Sequence, residues 1–71
     1  MVKDEMSIVF DFVAECENTY VNYGVDYDIS DVFSENVVNL IFDALVLLRE
    51  DYDIDIEKKF PALFSSYHFM F

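Results

Sequence analysis

Between residues 37 and 48 this chain carries only two polar side chains, Asn39 and Asp43. The others, Val37, Val38, Leu40, Ile41, Phe42, Ala44, Leu45, Val46, Leu47 and Leu48, go almost all round a helix of 3.6 residues per turn. Only a narrow stripe through Asn36, Asn39, Asp43 and Glu50 is polar. A helix apolar on most sides is a central helix, and its neighbours must cover it. The run is too short and too polar to span a bilayer. The pattern predicts a helix over residues 31–49, with Ser30, Asp31 or Ser34 as its N-cap.

The flanking segments supply that cover. Val2, Met6, Val9, Val13, Cys16, Tyr20 and Tyr23 recur at alternating steps of four and three, a heptad-like helical stripe. Phe10, Phe12, Ala14 and Val21 widen it, and Asp4, Asp11, Glu15, Asn18 and Asn22 form the opposite face. Gly24, the only glycine, stands where a helix would stop. In the C-terminal segment, Asp55 can cap a turn over residues 56–59, and Pro61 can open a further helix. Leu63, Phe64, Tyr67, Phe69, Met70 and Phe71 would dock that helix on the core or in an interface. The expectation is one all-α domain over residues 1–71, a compact bundle of about three helices around a central apolar one. Hydrophobic residues make up 55% of the chain, more than so small a core hides easily, so a homodimer through the central helix and the aromatic C-terminus is expected.

An acidic phrase occurs twice, "DYDIS" from Asp26 and "DYDID" from Asp51. Apolar and acidic residues alternate over 25–29 and 52–56, the period of a half-buried strand. The alternative fold is therefore α+β, with these segments paired as a minimal two-stranded sheet. Asp is poor in strands, which favours extended connectors anchored by Tyr and Ile. The phrases also begin like calcium loops. The sixth position, where such a loop needs glycine, is Asp31 or Ile56, and the twelfth is Val37 or Ala62 instead of glutamate. No metal is expected there; the carboxylates cap helices and keep the junctions solvated.

Charge narrows the function. Fifteen Asp and Glu stand against four Lys and Arg, a formal net charge of −11. Such a surface repels nucleic acid and anionic membranes and attracts basic partners. A mean hydropathy of +0.23 argues against disorder. One cysteine allows no intrachain disulfide, and "MVKDEMSIVF" shows no signal-peptide pattern, so a cytoplasmic protein is expected.

Catalytic patterns are missing. Cys16 falls on the apolar stripe, His68 sits among aromatics, one glycine cannot build a phosphate loop, and no zinc spacing occurs. No enzyme and no cofactor are expected. "YGVDYDIS" and "LREDYDIDI" resemble the ends of the first and second helices of an acyl carrier protein. That resemblance implies a phosphopantetheine arm on the serine of an Asp-Ser-Leu motif opening the second helix. Here the region reads "SDVFSENVVNL", with Ser34 followed by Glu35. In size, charge and lack of catalytic residues the chain is also similar to the small acidic phage proteins that block restriction or CRISPR effectors as DNA mimics.

The leading expectation is a non-catalytic inhibitor occupying a basic, nucleic-acid-binding surface of a target protein, in the host cytoplasm if the protein is phage-encoded. Asp26, Asp28, Asp31, Asp51, Asp53 and Asp55 would supply charge, and Tyr27 and Tyr52 aromatic contact. The alternative is a regulatory homodimer or immunity protein binding through its aromatic C-terminus; a carrier-like domain comes third.

Overall fold

The computed structural model describes residues 4–70, with side chains described for residues 4–67. The fold is all-α. Among the described residues five helical segments follow one another: α1 (Glu5–Tyr23), α2 (Ile29–Val32), α3 (Glu35–Asp51), α4 (Ile56–Lys59) and α5 (Pro61–Met70). Each boundary has a local cause. The Asp4 carboxylate accepts from the Ser7 N–H at 2.8 Å and opens α1. Ser34 caps α3 through Val37 N–H, and Asp55 caps α4 through Lys58 N–H. Pro61 begins α5, where its missing N–H costs nothing.

The predicted helix over 31–49 is in fact two. Phe33 is extended, with φ −122° and ψ 151°, and breaks α2 from α3, which then runs on to Asp51. A two-stranded sheet does not form: among the described residues there is no strand. Ile29 starts α2, Ile56 starts α4, and the two acidic phrases lie at opposite ends of α3, out of reach of each other.

α1 and α3 pack antiparallel. Ile8, Val9 and Phe12 lie beside Leu47, Ala44 and Leu40, and Tyr20 shares a depression with Val38. α5 lies on α1 and α4. One core joins all five segments, through Val13, Cys16 and Tyr20 of α1, Ile29 of α2, Ile41, Leu45 and Leu48 of α3, Ile56 of α4 and Leu63 of α5. Val13, Ile41, Leu45, Leu48 and Leu63 are fully enclosed, each stabilising the fold by roughly 1.5–3 kcal/mol. Phe10 packs on Phe60 at 5.1 Å and Phe42 meets Tyr67 edge-on at 5.8 Å, so aromatic contacts tie α5 and its approach to the α1–α3 pair.

Phe60, the residue before α5, has no side-chain acceptor to cap it, and α1 provides an N-terminal cap. The Glu17 carboxylate accepts from Ala62 N–H at 3.1 Å and Leu63 N–H at 2.9 Å. Glu17, one of the acids of α1, is thus committed to the fold. The aromatic C-terminus docks through Leu63, Phe64 and Tyr67. Val2 and the side chains of His68, Phe69, Met70 and Phe71 lie outside the described residues. Two positions of the widened stripe, Val21 and Tyr23, are exposed, because α5 and the first junction reach only part of that face.

Candidate functional site

The first acidic phrase follows α1. Gly24 has φ 135°, and its N–H closes α1 on the Tyr20 carbonyl at 3.0 Å. A Cβ here would meet the Tyr27 ring at 3.1 and 3.3 Å, and L residues rarely adopt this φ. Below the turn, buried Tyr20 donates its hydroxyl to the Tyr27 carbonyl at 2.6 Å and lies 3.5 Å from that of Val25. Ser66 Oγ of α5 donates back to the Tyr20 hydroxyl at 3.4 Å. Tyr23 and Tyr27 meet edge-on at 5.3 Å. The loop is therefore held from beneath, and it presents Asp26, Tyr27, Asp28 and Asp31 outward, all exposed. Asp28 stands at the N-cap of α2, yet its side chain makes no capping hydrogen bond.

The second phrase ends α3. Ile54 N–H reaches back to the Leu48 carbonyl at 3.0 Å, which requires Asp53 to turn left-handed at φ 55°. Asp51, Asp53 and Asp55 are exposed and Tyr52 is half-buried. Partial burial first, then the carboxylates of Glu5, Asp51 and Asp4, push the Tyr52 phenol above its ordinary range. The second pole is thus joined by Asp4 and Glu5 from the start of α1. Sequence reasoning did not place them there; the antiparallel packing of α1 against α3 brings them to that end. The hydrogen bond from Ser7 holds the Asp4 carboxyl below its usual value. The fold favours its ionised form, so this contribution is present above the ordinary carboxylate pKa and lost as pH falls through the lowered one.

The left-handed turn carries a prediction. Asp53→Val, a β-branched residue at positive φ, is expected to lower stability by about 1–2 kcal/mol, whereas Asp53→Gly leaves it unchanged or raises it. Urea unfolding followed by circular dichroism reads both. Equal effects would show that the backbone at Asp53 is not constrained.

The two junctions do not form one patch. They sit at opposite ends of α3, whose 17 residues at ~1.5 Å each separate them by about 25 Å. The six predicted aspartates are all exposed, in two poles of three. Arg49 approaches Glu50 at 3.9 Å with both side chains more than half exposed, a pair of little energetic weight. No protein-family model, curated protein or solved structure matches this chain.

Other chemistry is sparse. Among the described residues, no three His, Cys, Asp or Glu side chains gather to hold a metal ion. The Cys16 thiol is buried in the core, and burial, with the Glu15 charge second, pushes its pKa up, the opposite of what an attacking thiolate needs. Ser34 is exposed at the start of α3 with its Oγ accepting from Val37 N–H at 3.4 Å. No helix among the described residues is long and apolar enough to cross a membrane.

Proposed function

We propose that this protein is a non-catalytic binding protein that occupies a basic, nucleic-acid-binding surface of a target protein. The observation that carries the reading is the rigid display of charge. The formal charge of −11 is carried by a body 36 Å long, with exposed carboxylates clustered at both ends of α3. That length is about one turn of the duplex. The first pole is braced by Tyr20 and the second by the Ile54–Leu48 bond, so little ordering entropy opposes docking. Tyr27, 55% exposed between Asp26 and Asp28, offers a rigid aromatic contact.

The test begins with capture of partners on the immobilised protein and displacement by duplex DNA. Asn replacing Asp26, Asp28, Asp51 and Asp53 together preserves shape and removes four charges. The expected result is a captured protein that also binds nucleic acid, displaced by DNA, bound at least about tenfold more weakly by the quadruple variant, and weakened by added salt. Unchanged affinity in the variant, or no competition by DNA, would sink the reading. Neutralising each pair alone tells whether the target spans both poles.

A further inference from the structure

A groove runs between α1 and α3 on the side that α5 leaves open. It encloses about 460 Å³ and is lined by Ile8, Val9, Phe12, Leu40, Ala44 and Leu47. Ile8 is 55% and Leu40 57% exposed, a degree of exposure that stands out for large aliphatic residues lining one groove. The one polar residue in the lining is Asp43. It stands on the α3 lip, and Glu50, seven residues on, continues that lip two turns later. On α1, Glu15 follows Phe12 by three residues and flanks the groove from the other side. Asp43, Glu50 and Glu15 are all exposed. The cross-section is therefore an apolar floor between two acidic lips.

That arrangement selects its occupant. A second copy of this chain, the occupant that composition alone suggested for the central helix, would bring acidic lips against acidic lips and add a net charge of −11 to another −11, which disfavours association at this face. An extended strand finds no sheet edge to pair with among the described residues. From Leu40 to Leu47 the floor runs two helical turns, the length over which a helix presents anchors at i, i+3 or i+4, and i+7. We infer that the α1–α3 groove binds a basic amphipathic helix of a partner protein, its apolar stripe on Ile8, Phe12, Leu40 and Leu47 and its flanking Lys or Arg on Asp43, Glu50 and Glu15.

This site is separate from the aspartate poles. The groove can take a helix whether or not the poles engage a nucleic-acid site, so the two readings fail independently.

The probe is a synthetic helical peptide with leucines at i, i+4 and i+7 and lysine or arginine on both flanks. Its control carries glutamate in place of every basic residue. Binding to the full chain is followed by calorimetry and by amide shifts in nitrogen-15 spectra. The basic peptide is expected to bind and to shift amides around Ile8, Phe12, Leu40 and Leu47, while the acidic control does not bind. Leu40→Asp should weaken binding by at least about tenfold. Ile8→Ser serves as the second variant should the first disturb folding. Neutralising Asp26, Asp28, Asp51 and Asp53 should leave peptide affinity within about twofold at moderate salt. Equal binding by both groove variants, or shifts confined to the poles, overturns the inference, because the peptide would then be held by charge alone. So does a concentration-dependent dimer in sedimentation that buries Leu40, since the occupant would then be a second copy.

Discussion

Leu45→Ala is expected to lower the unfolding free energy by about 3 kcal/mol or more, with Leu40→Ala, five residues away on the same helix, costing less than about 1 kcal/mol. Leu45 is fully enclosed, whereas Leu40 is 57% exposed. Removing Leu45 forfeits its transfer energy and leaves a cavity that the surrounding core closes only partly. A domain of 71 residues holds roughly 4–10 kcal/mol at ~0.05–0.15 kcal/mol per residue, so the change consumes a large part of it. Denaturant unfolding of both variants tests the assignment of faces. Equal losses would mean that the apolar groove is occupied within the free protein, and would count against both the core and the open face described above.

Glu17→Ala is expected to destabilise by about 1–2 kcal/mol, through a helix 45 residues away in sequence. The two N–H groups of Ala62 and Leu63 begin α5, and Pro61 ahead of them has no N–H to donate. Without the carboxylate they lose a charge-assisted partner at the positive end of the helix. The sign of the effect discriminates. On a chain of net charge −11, deleting an acid relieves repulsion, so a merely solvated Glu17 would give no loss or a small gain in stability. Glu17→Gln keeps one acceptor oxygen and should fall between alanine and wild type. Thermal unfolding reads the size of the loss. Faster hydrogen exchange at Leu63 N–H ahead of global unfolding locates it at the start of α5. A gain in stability on Glu17→Ala would remove the capping role.

Much of the fold was legible because its causes are local. Gly24, Ser34, Asp55 and Pro61 punctuate the helices where their backbone chemistry demands. The six aspartates of the two phrases face water because an unpaired carboxylate cannot be buried cheaply. The break at Phe33 was not legible: residues 31–49 read as one helix, and the extended backbone that separates α2 from α3 packs Ile29 into the core beside Tyr20 and Val38. The all-round apolar pattern of α3 also overstated its burial. Leu40 and Val46 stay exposed because α1, α4 and α5 together cover only part of its circumference.

By itself the sequence favoured the all-α class and marked the helix ends at Gly24, Asp55 and Pro61 and the outward carboxylates, since each follows from periodicity, capping or solvation within a few residues. Only the tertiary structure decided that the twin acidic phrases become separate poles, that Glu17 serves α5 and that one face of α3 joins α1 in an open groove. These depend on which distant segments pack together, and pairwise packing across 40 residues of chain leaves no local signature. The two lips of that groove come from helices whose acids look, in one dimension, like ordinary solvated faces.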